Sequence, residues 1–524
     1  RRKTPWDKPL NCFIRPIVII CLLNCSLRAA EVVRVDSSQK SRLIVMADMG
    51  NEPDEEQQMA HLLMYANKVD IEGLIACSGK YLHADRKDGR TKTRADLFHK
   101  LVDAYAKTVD NLNLHETGWP EASYLRGVIK SGTAGYGIDA AKPGGANEAS
   151  KLIESSVLKD DPRPLYVVCN AGANTLAQAL NDLAETRSSQ QMEELCKRLI
   201  VFENGAQDNS GAWIAGRYPA IAWHRSNHQT YSYGGPGKAE GPYTWEPFPR
   251  DPDGQNEWAR MHIMEGHGAL GAVFPPRVMN RKLHFIEGGG TIPWTGLVNH
   301  GLTDPQNLQW GGWSGRFSRQ RHANILSRHA DIRKDEQSYS KFLMFEADSE
   351  TESWTDPMSG EVFEGRSVPV WRFRRAMFND FQARMDWCVQ SFDEANHNPI
   401  AAVRIEIDNV EREITESRDS IIRLSALPGQ RVSFDASPSS DPDGDGFQTT
   451  WWIYREAGTH KGELAIDSSN ASASLSIPTD AAGGEIHVIL ELVDESEIVP
   501  LHDYRRIVLN VTAEETDSDE VGQQ

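Results

Sequence analysis

Cysteine is scarce and poorly placed for chemistry. Of seven cysteines in 524 residues, only Cys77, Cys169, Cys196 and Cys388 lie beyond the first thirty positions. None of these is spaced C-x-x-C, which excludes a zinc knot. Cys77 and Cys169 each follow an apolar run and read as small buried hydrophobes rather than as a disulfide. Positive charge is also in deficit. Lys and Arg number 56 against 75 Asp and Glu, for a net charge of −19, which excludes long-range attraction to nucleic acid or anionic lipid. A neutral or cationic ligand, or a divalent metal, suits this field better. Beyond the first thirty residues no apolar run is long enough to cross a bilayer.

The one long apolar run is at the start. "RRKTPWDKPLNCFIR" is net basic, "PIVIICLLNCSL" has the length of a signal-peptide core, and "RAAEVV" offers small residues for cleavage near Ala29 or Ala30. Residues 1–30 are therefore expected to be an export signal. The mature chain, starting near Glu31, is expected to be secreted or periplasmic and free of the membrane.

From 41 to 390 the sequence alternates short β-like runs with amphipathic segments. "RLIVMA", "IEGLIACS", "PLYVVCN", "RLIVFEN" and "LHFIEGG" read as buried strands. "EEQQMAHLLMYANK", "TRADLFHKLVDAYAKTV", "ANEASKLIESSVLK" and "ANTLAQALNDLAE" read as helices. Strand followed by helix, repeated, implies an α/β domain with a mostly parallel, Rossmann-like sheet covered on both faces. Ligands bind such sheets beyond the carboxyl ends of the strands. Asp48, Ser78, Asn170 and Asn204 each end an apolar run and so share that rim. From 399 to 513 the pattern becomes strict alternation with turn signals, which predicts an all-β sandwich of immunoglobulin-like size. "SSDPDGDGF" imitates the start of an EF-hand loop, but Trp452 occupies the twelfth position, where a bidentate Glu is required. It reads as a turn. Residues 514–524 form a polar, acidic, disordered tail.

The densest chemical signal is "MADMGNEPDEE", where Asp48, Glu52, Asp54, Glu55 and Glu56 crowd the mouth of one strand. Asp54, Glu55 and Glu56 are explained as well by capping of a helix amino terminus. Asp48 and Glu52 precede the helix, and acids converging from a strand end, a loop and a helix start make an oxygen-rich cage for a hard cation such as calcium.

"ADMGNEPDE" also resembles the amino-terminal D-x-G-x-D-x-D-D signature of nucleoside hydrolases. It is closer still to a bacterial family of exported nucleoside hydrolase-like, cellulose-binding proteins. "DDPRPLYVVCNAGANTLAQAL", "FENGAQDNSGAWIAGRYP", "VPVWRFRRAMFNDFQARMDW" and "SFDASPSSDPDGDGFQTTWWIYREAGTHKGE" are similar to further segments of that family, in order. The resemblance implies a hydrolase-like domain with a carbohydrate-associated sandwich after it. It implies that Asp48, Asp54 and Glu55 hold Ca2+, with Glu52 beside them and a backbone carbonyl from Asn174. Asp48 then inherits the role of base for the attacking water. Asp208, Asn209 and Trp213 become sugar-site residues by the same likeness, and Ser78 joins them from its place on the rim.

Two departures stand out. Met46 replaces an acid of the hydrolase pattern. In "HFIEGGGTIPWTGLVNHGLTDPQNLQWGGWSGRF", Gly289 and Gly290 stand where relatives carry Asp. Glu287, His300 and Asp304 are the available last metal ligands, and His300 is the counterpart of a catalytic histidine. Spacing does not choose among them. Trp310 and Trp313, set among glycines, read equally as platforms for sugar faces and as core fillers. Two functions follow. One is a metal-dependent hydrolase of glycosyl bonds, most naturally N-glycosyl bonds, acting on a small glycoside or nucleoside. The other is a non-catalytic binder of cellulose or another polysaccharide with a degenerate hydrolase site.

Overall fold

The computed structural model describes residues 40–232, 257–279, 282–284, 289–298, 300–414 and 421–512. The expected leader, the acidic tail and Glu287 lie outside them.

An eight-stranded sheet organises the first domain. Its strands are β1 (Ser41–Ala47), β2 (Val69–Ala76), β3 (Ile129–Ser131), β4 (Leu165–Cys169), β5 (Leu199–Asn204), β6 (Ala222–Ser226), β7 (His322–Ala323) and β8 (Leu343–Glu346). They lie side by side in the order β3-β2-β1-β4-β5-β6-β8-β7. All pairs are parallel except β8 with the edge strand β7. The strand pleat explains why "RLIVMA" is apolar throughout. Leu43, Val45 and Ala47 enter the core on one face of the sheet, whereas Ile44 and Met46 enter the core on the other. Helix α1 (Asp54–Leu63) and the long helix Val368–Asp386 cover the first face. Helix α2 (Asn174–Glu185) and the helix Glu148–Leu158 cover the second.

Of the expected "LHFIEGG" strand, residues 285–288 lie outside the described residues, and Leu283 and His284 do not join this sheet. Lys282–His284 pairs antiparallel with Arg277–Met279 in a separate hairpin. Cys77, Cys169, Cys196 and Cys388 are all free and buried, as small hydrophobes. Among the described residues no helix is long and apolar enough to cross a membrane.

The carboxyl-terminal domain packs a five-stranded sheet on a four-stranded one, and residues of both share one core, Val432 and Phe434 with Val488, Leu490 and Leu509. Most pairs are antiparallel, but Ile422–Ala426 runs parallel to His502–Val511. The "SSDPDGDG" stretch is a turn in which Asp441 Oδ1 accepts from the backbone N–H groups of Asp443 and Asp445 at 2.9 and 3.1 Å. The two domains are joined by a common core. Tyr454, Ile489, Tyr504 and Val508 of the second belong to the same apolar cluster as Trp310, Trp313, Phe373 and Met377 of the first.

Candidate functional site

Strand order decides where a ligand can sit. From β1 the chain moves outward to β2 and β3, then crosses back to β4 on the other side of β1. The crevice at such a switch point opens beyond the carboxyl ends of the two central strands. Asp48 follows β1 and Asn170 follows β4, with the Asn170 N–H bonded to the Met46 carbonyl at 2.9 Å.

Asp48 is held by a tight turn. Its carbonyl accepts from Asn51 N–H at 2.9 Å, and Gly50 between them has φ +94°, a conformation that favours glycine. The Asp48 side chain is buried, and its carboxylate oxygens make no well-formed hydrogen bond, although the Gln207 side chain pulls its pKa down slightly. Burial first, and the charges of Asp54 and Glu52 after it, push its carboxyl up to about 8. Burial, with the charges of Asp54 and Asp48, raises Glu55 well above the usual carboxylate range.

The opposite side of the rim comes from the turns after β4 and β5. Asp208 is fully buried, and its Oδ1 accepts from the backbone N–H groups of Ala173 and Ser210 at 3.1 and 2.8 Å. Burial pushes this carboxyl up to about 6 against those two donors. Gln207 donates to the Asn170 carbonyl at 2.8 Å, which leaves its Oε1 without a partner. Asn170 donates to the Gly290 carbonyl at 2.9 Å and keeps a partnerless Oδ1. Counting both oxygens of Asp48 and Oδ2 of Asp208, five buried oxygens at this rim make no well-formed hydrogen bond within the protein.

Glycines make this crowding possible. A Cβ on Gly79 would lie 2.6 Å from Gln207 Oε1 and 3.4 Å from Asp48 Oδ2. At Gly172 it would lie 2.3 Å from Asp208 Oδ2 and 2.9 Å from the Ser78 carbonyl. Asp208 cannot swing away without losing both backbone donors. Gly172→Ala is therefore expected to cost about 1–3 kcal/mol through overpacking, read by urea unfolding. A midpoint equal to that of the unmutated protein would show that Asp208 yields freely. Gly290 is under the same constraint, since a Cβ there would meet Asn170 Nδ2 at 2.6 Å. An aspartate does not fit that position here.

The expected site residues separate into groups. Asp48, Ser78, Asn174 and Asp208 do come together. Ser78 Oγ donates to the Gly135 carbonyl at 2.6 Å and accepts from Asn174 Nδ2 at 2.9 Å. As the first residue of α2, however, Asn174 turns its carbonyl into the helix's own hydrogen-bond ladder. Asn209 pins a neighbouring loop, its Oδ1 accepting from Ile138 N–H at 2.9 Å. Trp213 is half-buried against the helical layer, with its ring 6.2 Å from that of Tyr218. In the cation-free chain no three His, Cys, Asp or Glu side chains among the described residues are grouped closely enough to hold a metal ion, although Glu52 and Asp54 lie near enough for their charges to raise Asp48 and Glu55. The oxygens whose chemistry does suit a hard cation are those of Asp48 and Asp208 together with the amide oxygens of Gln207 and Asn170.

Three further expectations are corrected. His300 faces the second domain: its Nδ1 lies 3.9 Å from Asp503 Oδ1 and its ring 4.7 Å from that of Trp313. Trp310 and Trp313 are buried in the shared core. Trp310 packs edge-on to His487 at 4.9 Å and under the Arg423 guanidinium at 4.7 Å. Asp304 caps a turn, accepting from Gln306 N–H and Asn307 Nδ2 at 2.8 and 2.9 Å, and pairs with Arg423. Glu287 lies outside the described residues. Gln207 went unnoticed in the sequence although it opens the quoted "QDNSG" run.

Comparisons with known proteins agree with this architecture. Residues 42–317 match the model of the nucleoside hydrolase-like domain of the cellulose-binding protein Sde182, and residues 431–511 match the carboxyl-terminal domain of the cellulose-binding protein Sde0182. No curated protein matches. A solved structure is similar over 90% of this chain and 100% of its own, with 31% identity and a TM-score of 0.73. It is a nucleoside hydrolase-related hypothetical protein from Saccharophagus degradans that is associated with carbohydrate metabolism. The chain thus belongs to the family of cellulose-binding proteins that carry a nucleoside hydrolase-like domain and a carboxyl-terminal β domain.

Proposed function

We propose that the rim binds the hydroxyl groups of a carbohydrate and that, with a divalent cation such as calcium beside Asp48, it hydrolyses a glycosyl bond, the N-glycosyl bond being the first choice. The supporting observation is the set of buried oxygens of Asp48, Asp208, Gln207 and Asn170 that make no well-formed hydrogen bond within the protein. Leaving such groups unmatched is costly, at about 1–3 kcal/mol each. Sugar hydroxyls supply donors, and a cation supplies charge. A cation bound there would also act as a Lewis acid and lower the pKa of a bound water. Asp208, pushed up to about 6, is mostly ionised at pH 7 and accepts from a hydroxyl. Gln207 Oε1 and Asn170 Oδ1 accept likewise. Asp48 is the residue placed to take a proton from an attacking water. With its carboxyl pushed up to about 8, it keeps its own proton at neutral pH in the cation-free chain. The cation-free protein therefore binds without cleaving. The placement of His300 against the second domain favours the same non-catalytic behaviour.

Calorimetry of chelator-treated protein, followed by assays on nucleosides and aryl glycosides, tests this. Calcium and neutral oligosaccharides are expected to bind, and Asp48→Ala to lose the calcium site. Product is expected with calcium, and none with chelator or in Asp48→Asn. If glycans bind but no compound ever yields product, the protein is a binder alone. If neither glycan nor calcium binds, the whole reading fails.

A further inference from the structure

With Trp310 and Trp313 committed to the domain interface, the aromatic surface for a sugar must come from elsewhere. The mouth of the rim supplies it. Gly79, beside Asp48 and Gln207, pairs its backbone with Leu82 in a tight turn whose tip carries Lys80 and Tyr81. The chain then runs alongside a second loop, with Ser78 N–H on the Thr133 carbonyl at 3.2 Å and Ala84 N–H on the Ala134 carbonyl at 2.8 Å. That pairing sets the His83 ring 4.8 Å from the Tyr136 ring. Tyr136 directly follows Gly135, whose carbonyl accepts from Ser78 and Asn174 of the rim. On the other side Lys80 pairs with Asp331, and the Tyr81 ring meets the His329 ring edge-on at 5.8 Å. All four rings are half-buried, not covered. Among the described residues neither the Tyr81 nor the Tyr136 hydroxyl makes a hydrogen bond. The Tyr136 hydroxyl is raised first by burial and then by the Asp208 charge.

Resting on the carbohydrate reading above, we propose that Tyr81, His83, Tyr136 and His329 form an aromatic platform at the mouth of the rim. It stacks on the ring faces of a neutral β-1,4-linked glucose chain whose end reaches the buried acceptors. The chemistry selects a neutral glycan chain in three ways, and the cellulose-binding family points to a β-1,4-linked glucan among such chains. Flat aromatic faces suit the C–H faces of sugar rings. Oδ2 of buried Asp208 makes no well-formed hydrogen bond within the protein, and a sugar hydroxyl can donate to it. The net charge of −19, with Asp208, Asp331, Asp335 and Glu336 acting on Tyr136, disfavours anionic sugars and phosphates. Two ring pairs on separate loops exceed the face of one sugar, so the platform is matched to a chain.

The test is titration calorimetry with glucose, cellobiose and cellopentaose on the full chain, with an unfolding curve for each variant. Tyr136→Ala and Tyr81→Ala are expected to weaken cellopentaose about tenfold and to leave glucose unchanged. Tyr136→Phe is expected to retain the affinity, because the ring face and not the hydroxyl does the stacking. Asp208→Asn is expected to weaken all three sugars. If Asp208→Asn weakens binding but the ring removals do not, the platform is refuted while the rim reading stands. If the unmutated protein binds none of the sugars, both fall. If ring removal weakens nucleosides but not cellopentaose, the rings serve a base, and the glucan assignment is overturned.

Discussion

Replacing Arg384 by Met is expected to cost about 3–5 kcal/mol, the usual penalty for stranding buried charges. Against a typical total of about 5–15 kcal/mol, that is a large loss. Arg384 lies in the long helix over the first face of the sheet and is fully buried. Its Nε pairs with Asp380 Oδ2 at 2.9 Å, its Nη2 with Glu116 Oε2 at 3.3 Å, and its Nη1 donates to the Met64 carbonyl at 3.1 Å. The guanidinium lies over the rings of Tyr65 and Trp387 at 4.5 and 4.7 Å. Asp380 in turn accepts from Tyr65 and, at 2.8 Å, from Asn398, which leads into the second domain. Removing the cation leaves Asp380 buried and ionised.

The network also sets an acid limit. Burial, the largest single effect, would raise Asp380, but the Arg384 charge together with His300, Tyr65 and Asn398 outweighs it and holds the carboxyl down to about 2 from an ordinary 3.8. A depressed pKa means that its stabilisation is complete above about pH 4 and fades as pH falls towards 2. Urea unfolding at pH 7 and pH 3 measures both effects. The unmutated protein should lose more stability between these pH values than Arg384→Met does. The double variant Asp380→Leu with Arg384→Met should recover part of the loss, since no lone charge remains from that pair. A single variant within about 1 kcal/mol of the unmutated protein would show that the network is solvated after all.

Much of the first domain was legible because its central strands are apolar on both faces. "RLIVMA", "PLYVVCN" and "RLIVFEN" have no other stable use than burial in a covered parallel sheet. β6 was hidden. Its sequence is "AWHRS", and His224, Arg225 and Ser226 are buried there. Arg225 pairs with Glu203 and Glu336 at 2.7 and 2.9 Å, partners that only the fold supplies. The rim was legible at Asp48, because a strand that stops on an acid is unusual. Five neighbouring acids suggested a cage, yet composition cannot distinguish carboxylates that share an ion from those at a helix start. The tryptophans misled for a related reason. "LQWGGWSGRF" has glycines, which suit ligand approach, but here Gly311, like Gly301 before the stretch, suits the approach of another domain. A Cβ on Gly311 would lie 2.4 Å from Tyr454 Oη, and one on Gly301 would lie 2.1 Å from the Tyr504 carbonyl. Both partners are in the β domain, and their proximity carries no local sequence signal.

That interface makes the second large prediction. Residues 41–398 produced without the β domain are expected to fail to form a soluble, cooperatively folded protein. Deleting the domain removes Tyr454, Ile489, Tyr504 and Val508 from the shared core and uncovers Trp310, Trp313 and Phe373. Exposed apolar patches of that kind drive aggregation. The polar loss is equally specific. Arg506 donates to the Leu302 and Gly311 carbonyls at 2.6 and 2.9 Å, so two buried carbonyls lose a charged donor. Tyr454 donates at 2.6 Å to Glu352, a buried acid that also pairs with Arg316 and Arg372 at 2.8 and 3.1 Å. Asn396 ties the linker to Asp494 and to the Val499 carbonyl, both at 2.9 Å. In the intact chain the consequence is one unfolding transition, with tryptophan fluorescence and far-ultraviolet circular dichroism tracing the same urea curve. Separate transitions, or a truncated chain that stays monomeric with a sharp near-ultraviolet spectrum, would show two independent domains. A single transition ties the rim to the β domain energetically. The long helix that carries Asp380 and Arg384 also contributes Phe381, which stacks on His61 of α1 at 3.7 Å. The same α1 supplies Glu55 and Gln58 beside Asp48. Loosening the β domain is therefore felt at the rim beside Asp48 through one helix.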